Sequence, residues 1–303
     1  MANEKDCAVF AIGEIVFDIY PDEKYIGGAP FNFVYHLTQF GISSRFVSRV
    51  GEDELGNEFL DFAKSENIPW EEIQRDSEKQ TGEVQVFLNM QGTPRFEVLR
   101  DQAFDYIEDC TKLNFDADSF PSFAYFGTLA QRNSISANTI QETMTRLKNN
   151  SKIFLDINLR PPFYNYEIID ASLKNCDILK ANEEELAELK RMLGLEYYPG
   201  ETYLIDHFHK EYGIQSIFVT RGKNGADLFK PEESPLPIKC PLTFSPTIED
   251  TLGAGDAFSA KLIFELIQGK SDEDSMKSAV EFASRICEIK GALPMDKSFY
   301  NDS

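Results

Sequence analysis

Apolar and polar residues follow two different rhythms along this chain, and the changes of rhythm divide it into short elements. Compact runs rich in β-branched and aromatic residues stand at 7–12, 44–50, 123–126, 153–157, 176–180 and 214–220, and predict strands. Between them, apolar residues recur at helical spacing over 30–40, 55–66, 135–148, 183–192, 257–268 and 271–290. The first of these helices ends at Gly41, a natural residue after a helix because glycine accepts a left-handed backbone. Such alternation implies a mostly parallel sheet with helices on both faces, an α/β fold. One segment breaks the series. Between Thr81 and Leu99 the period is two, with Val84, Val86 and Leu88 before a Gln91-Gly92-Thr93-Pro94 turn and Phe96 and Val98 after it. That predicts an antiparallel hairpin inserted into the βα series.

Composition narrows the function classes. With 303 residues, 42% apolar and 13% aromatic, the chain can bury a large core, as one α/β domain or two smaller ones. Its 30 basic residues stand against 51 acidic ones, a formal charge of −21, which argues against nucleic acid or an anionic membrane as partner. No early segment reads as a secretory signal, and no apolar run approaches the length of a bilayer span. Cys7, Cys110, Cys176, Cys240 and Cys287 are odd in number and far apart, so they read as free thiols in a reducing cytoplasm. His36 falls in a predicted helix, and the pair His207 and His209 lacks zinc-ligand spacing. Neither a GxSxG elbow nor a Walker A sequence occurs.

The strongest chemical signal is Asp250-Thr251-Leu252-Gly253-Ala254-Gly255-Asp256-Ala257-Phe258. It reads as a turn feeding a helix. Gly253, Ala254 and Gly255 leave the free N–H groups of a helix start open to close approach by an anion, and Asp256 follows in the first turn. An anion nest beside a carboxylate suits phosphoryl transfer, since one stabilises developing charge and the other takes a proton from an attacking hydroxyl. An ordinary glycine turn with a favourable N-terminal acid is the bland alternative.

A second motif decides between them. Gly13-Glu14-Ile15-Val16-Phe17-Asp18, followed by Gly27-Gly28-Ala29-Pro30-Phe31-Asn32, resembles the first signature of the ribokinase-like (phosphofructokinase-B) carbohydrate kinases, and DTxGAGD resembles their C-terminal signature. The resemblance runs along nearly the whole chain. It implies one kinase domain over residues 1–303, with a small β lid from about 14–28 and 80–103 that covers the sugar and often pairs with a second subunit. It also implies ATP as phosphoryl donor, Mg²⁺ to neutralise the phosphates, and K⁺ beside the nest, held by backbone at Asp250 and Leu252 with the Lys290-Gly291-Ala292 segment.

Residue by residue, Asp18, Gly28, Ala29 and Asn32 would meet the sugar, and Arg100, at the end of the lid hairpin, is either a sugar contact or an exposed strand-end arginine. Asp156-Ile157-Asn158-Leu159-Arg160 resembles a string found in fructokinases and 2-keto-3-deoxygluconate kinases. If extended, it would turn Asp156, Asn158 and Arg160 to one side, the acid and amide toward sugar and Arg160 toward the transferring phosphate. Asn182 and Glu185 match the NxxE element that places nucleotide and Mg²⁺, although three glutamates opening a helix also suit its dipole. Lys180, just before, reads more readily as a strand-end lysine than a phosphate contact. Thr220, Gly222 and Gly225 match the nucleotide turn, with a hairpin into 226–229 as the alternative, and Arg221 and Lys223 add welcome positive charge. The Arg49 to Gly56 loop has a structural role on this reading. Among acceptors the resemblance favours D-fructose, with 2-keto-3-deoxygluconate and ribose as rivals. A homodimer would use the lid face bearing Val84, Val86 and Leu88, and a catalytically silent sugar-binding regulator is the reading from another class.

Overall fold

The computed structural model describes residues 7–301 except 89–93, 109, 111–112, 114, 116–119, 199, 235 and 244–245. The Gln91-Gly92-Thr93 part of the expected hairpin turn lies outside the described residues. A nine-stranded sheet forms the centre. Its strands are β1 (Val9–Ile12), β4 (Ser44–Gly51), β5 (Ile73–Asp76), β8 (Phe123–Phe126), β9 (Lys152–Asp156), β10 (Ile178–Asn182), β11 (Ser216–Thr220), β12 (Ala226–Phe229) and β13 (Ile238–Cys240). They are ordered β13-β12-β11-β10-β9-β8-β1-β4-β5, parallel from β11 to β5 and antiparallel through β12 and β13. The central strands are almost continuously apolar, as strands covered on both faces must be, and two separate hydrophobic clusters lie against them.

A second sheet of four strands, β2 (Val16–Ile19), β3 (Lys24–Gly27), β6 (Gly82–Leu88) and β7 (Pro94–Val98), stands apart in the order β3-β2-β6-β7. It unites the two segments expected to form a lid. Val84 pairs with Val98 and Val86 with Phe96. Val84 and Val86 are buried within this chain, while Phe96, the partner of Val86 on the same face, is 45% exposed. Phe87, on the opposite face, is 52% exposed.

Two of the described helices carry the site, and both start as local chemistry dictates. Helix α1 (Ala29–Gln39) begins after Gly28, with Pro30 in its first turn, where a missing N–H costs nothing. It is pinned by a stack in which Phe33 lies 4.0 Å from Tyr125 of β8, and Tyr125 lies 5.8 Å from Phe154 of β9. Each such aromatic pair adds roughly 0.5–1.5 kcal/mol beyond its buried area. Helix α7 (Ala254–Ile267) runs beneath the sheet beside α1, buried on nearly every side from Ala257 to Ile263. The remaining helices are α2 (Glu54–Ser65), α3 (Ser134–Leu147), α4 (Tyr166–Lys174), α5 (Glu183–Met192), α6 (Thr202–Tyr212) and α8 (Asp272–Ile286). The Arg49 to Gly56 loop is tied down as expected. Asp53 accepts from Gly56 N at 2.7 Å and Thr81 Oγ1 at 2.7 Å, and Arg49 Nε lies 2.8 Å from Asp76.

Candidate active site

The parallel strands β1, β8, β9, β10 and β11 all end on one edge, and most motif residues sit in the turns just beyond it. The start of α7 faces that edge. Gly253 caps it with φ 75°, and no described side chain caps the helix's free amides. A Cβ at Gly253 would stand 2.3 Å from the Ala292 Cβ, so only glycine lets the turn lie against the 291–292 segment.

Asp256 faces α1. Its Oδ2 accepts a 2.7 Å hydrogen bond from Asn32 Nδ2, joining the two signatures across the fold. The Asn32 Oδ1 is buried with no hydrogen-bond partner among the described residues. Burial pushes the Asp256 carboxyl up to about 7, with the Asp156 charge adding to the rise and the Asn32 hydrogen bond, Lys180 and Arg160 opposing it. Asp18, on β2, is also buried, and its carboxyl is pushed up to about 6 by burial, against the pull of Arg160 and with a further push from Asp250. Arg160 thus pulls through its charge on both Asp18 of the lid sheet and Asp256 at the helix start. It is exposed, and among the described residues its guanidinium reaches only the Leu159 carbonyl, at 3.4 Å. Gly28 is equally constrained, since a Cβ there would meet the Glu14 carbonyl oxygen at 2.5 Å.

The segment from Asp156 to Arg160 departs from expectation. β9 ends at Asp156, and Asn158 takes a left-handed φ of 37°, so the three side chains do not share one side of an extended run. Asp156 is wholly buried and offers no surface to a sugar. Lys180 Nζ lies 3.0 Å from each of its oxygens, and Ser259 Oγ of α7 donates to Oδ2 at 2.9 Å. Lys180 is thus a buried part of the site rather than a strand-end lysine. Its place directly before the NxxE element was the available signal. Glu14 was also missed. It is buried, its Oε2 has no hydrogen-bond partner among the described residues, and burial raises its carboxyl against the pull of Arg160 and Arg132.

Asn182 and Thr220 are register partners at the ends of β10 and β11. Asn182 caps α5, accepting from Glu185 N at 2.8 Å, while Glu185 Oε2 accepts from Asn182 N at 2.8 Å. The other Glu185 oxygen accepts from Leu159 N at 3.0 Å. Both oxygens are thereby bound to backbone amides, and burial raises the carboxyl, with Lys180 opposing. Among the described residues no three His, Cys, Asp or Glu side chains converge on a metal position. Glu185 is thus occupied by backbone amides, and any hold it has on Mg²⁺ would run through water. Asp250 does gather the loop expected around K⁺, since its carboxylate accepts from Leu252 N at 3.0 Å and from Gly291 N at 3.1 Å.

Gly225 and Arg221 do other work, while Arg100 has no carboxylate partner among the described residues. Arg100 is exposed with its guanidinium 5.2 Å from the Phe163 ring. At Gly225, φ is 86° and a Cβ would lie 2.0 Å from the Cys240 carbonyl oxygen, so its glycine is explained by the β12–β13 crossing alone. Arg221 is held by Glu183, Glu201 and Asp227 at 3.0, 2.5 and 3.1 Å, and is spent on them rather than offered to phosphate. A cleft of about 540 Å³ behind this turn shares no lining residue with the Asp256 cluster. Gly222 is different, with φ 54° and nothing within 4 Å of the point a Cβ would occupy.

The description "pfkB family carbohydrate kinase" matches residues 13–297. The chain belongs to that family. Membership makes it an ATP-dependent carbohydrate kinase. A putative sugar kinase of Pyrococcus horikoshii is 26% identical over 86% of this chain and 83% of its own. The structure of that protein in complex with ATP superposes with a TM-score of 0.78 over 94% of this chain and 93% of the other. Fructokinase-2 of Oryza sativa subsp. japonica is 26% identical over 94% of this chain and 90% of its own. A nucleoside kinase of Methanocaldococcus jannaschii shares the fold at TM-score 0.77 and 18% identity, over 95% and 94% of the two chains. The fold is ribokinase-like, as the motifs implied, and it does not by itself choose the acceptor.

Proposed function

We propose that this chain transfers the γ-phosphoryl group of ATP to the primary hydroxyl of D-fructose, giving fructose 6-phosphate. The observation that carries the reading is Asp256, a carboxyl pushed up to about 7 by burial, beside an uncapped helix start of small residues. A proton acceptor works best when its pKa lies near the working pH. Asp256 takes the hydroxyl proton as the sugar oxygen attacks the γ-phosphorus, and the bond from that phosphorus to ADP breaks. The amides of 253–256 donate to the phosphoryl oxygens, and Arg160 adds its charge from the other side. Asp18, Gly28, Ala29 and Asn32 receive the sugar, and the Asn32 Oδ1, which has no partner among the described residues, accepts from one of its hydroxyls. Asn158 and Arg100 border the same space, and Asn182, Thr220 and Gly222 line the nucleotide.

Mg²⁺ bound to the ATP phosphates would neutralise part of their charge. K⁺ would sit by the backbone at Asp250 and Leu252. Replacing K⁺ by a bulky organic cation then slows turnover. The four-stranded sheet acts as a lid that excludes water. If two lids pair into a homodimer through the Val84 and Val86 face, the exposed Phe96 on that face meets the partner, and sedimentation of a charged variant at Phe96 reads this out. No described helix is long and apolar enough to cross a membrane, and Cys7, Cys176, Cys240 and Cys287 are free thiols, which supports a reducing, cytoplasmic setting.

Fructose is preferred on the Gly-Gly-Ala-Pro and DxNxR strings. Arg100 favours 2-keto-3-deoxygluconate as a second reading, because among the described residues it has no carboxylate partner and a substrate carboxylate would supply one. An ADP-release assay across fructose, 2-keto-3-deoxygluconate, ribose, glucose and adenosine tests both. Preference for fructose supports the first reading and preference for the keto acid the second. Sugar binding without turnover on any of them points to a regulatory relative.

A further inference from the structure

Gly255 has a neighbour that its motif does not explain. A Cβ placed there would lie 2.9 Å from Lys180 Nζ, so the ammonium fills the space directly beneath the second glycine of the nest. The lysine comes from β10 and the glycine from α7, and nothing in the spacing of either motif links them. The Lys180 and Asp156 side chains are 8% and 0% exposed, and Ser259, one turn past Gly255, completes the cluster by donating to Asp156. Burial pulls the ammonium down, but Asp156, Glu185 and Asp256 outweigh it, and it is held charged above the ordinary lysine range.

We infer that Lys180 is a positioning residue for the transfer: its ammonium neutralises Asp156 and so keeps a second buried negative charge from bearing on Asp256. Among the described residues, few groups face Asp256. Asp156 comes from β9, Lys180 from β10, Arg160 from the loop after β9, Asn32 from α1 and the neutral phenol of Tyr125 from β8. Glu185 bears on Lys180, and Glu14 on Tyr125. Of the two cations Arg160 is exposed, so Lys180 is the one that water does not screen.

The inference rests on Asp256 as the proton acceptor, and the test separates the two. The pH profile of kcat/KM is measured for wild type, Asp256→Asn, Lys180→Met and the double variant Asp156→Asn/Lys180→Met. In Lys180→Met the acidic limb moves up by roughly 1–3 pH units, the effect of an ionised neighbour within about 4–6 Å, while the sugar KM stays within about twofold. The double variant removes both charges and returns the limb to or below its wild-type position. A uniform loss of rate at every pH with the limb unmoved, or an equal upward shift in both variants, overturns the inference. Should Lys180→Met fail to fold, Asp156→Asn alone carries the test, because it leaves the ammonium unopposed and lowers the limb; an upward or absent shift then overturns the idea. Turnover surviving in Asp256→Asn sinks the proton-acceptor reading itself, whatever Lys180 does.

Discussion

The edge of the sheet carries two charge clusters built from the same residue types, and they do opposite things. At β11 a single arginine, Arg221, meets Glu183, Glu201 and Asp227, and two of these acids have side chains 58% and 43% exposed. Water shares the work of neutralising them, and the cluster is close to self-sufficient. Between β9, β10 and α7, the acids Asp156 and Asp256 share Lys180 beneath the glycine nest, and Asp156 and Lys180 are cut off from water. There the compensation is incomplete. Burial and the neighbouring acid push Asp256 up to about 7. A charged residue near a motif therefore says little until its partners are counted. Arg221 looked useful and is occupied, whereas Lys180 looked ordinary and sits under the site.

The largest break in this comparison is Asp256→Asn. On the proposed mechanism it removes a positioned base and lowers kcat by roughly 10²–10⁴-fold, with sugar affinity largely kept. Turnover within a few-fold of wild type by single-turnover kinetics would refute the role. The same substitution has a stability consequence. A carboxyl raised in the folded state binds a proton that the unfolded chain releases, so it costs stability as pH rises from the unfolded carboxylate value of about 4 through about 7. The asparagine variant is accordingly more stable than wild type at pH 8 and shows little difference at pH 4. Tm rises by roughly 2–4 °C for each kcal/mol relieved. Wild-type kcat/KM falls with pH below about 7, the value to which Asp256 is raised. Arg221→Ala should reverse the balance of effects. It strands three carboxylates and costs about 2 kcal/mol, between the exposed and buried limits for ion pairs, while kcat stays within about threefold. A large fall in kcat with unchanged Tm would make Arg221 a site residue after all.

Much of this was legible in the chain because the sheet's strands are short apolar runs with glycine-bearing turns after them. The strands at Phe123–Phe126 and Ala226–Phe229 and the helix at Glu183–Met192 begin and end where the pattern places them. Among the missed elements, Ile73–Asp76 and Ile238–Cys240 are edge strands of mixed polarity. Tyr166–Lys174 and Thr202–Tyr212 do carry helical stripes, Ile169 with Leu173 and Leu204 and Ile205 with Phe208, so they were legible and overlooked. The motif residues Asp256, Asn32 and Asp18 could be found because their strings resemble the two family signatures. Their electrostatics could not. Whether Asp156 faces a sugar or a lysine depends on where β9 ends and on the left-handed Asn158, which no periodicity encodes. The same holds for the lid face, because period two tells which residues share a side and not which side the protein covers.

The smallest effect tests whether glycine in the nucleotide turn is there for the chain or for a ligand. Gly222 and Gly225 both have positive φ, 54° and 86°, so alanine is strained at either. The left-handed backbone costs roughly 1–2 kcal/mol for a residue with a Cβ. Beyond that they differ. At Gly225 the added methyl would run into the Cys240 carbonyl oxygen, and β13 must shift to admit it, whereas at Gly222 it meets open space. Gly225→Ala should therefore lower Tm more than Gly222→Ala, with its KM for ATP changed within about twofold. Gly222→Ala should raise the KM for ATP more than it lowers Tm, because the space its methyl enters is where the proposed nucleotide lies. Equal melting losses with neither KM moved would mean that the whole turn belongs to the scaffold, and that the nucleotide rests on Asn182 and Thr220 alone.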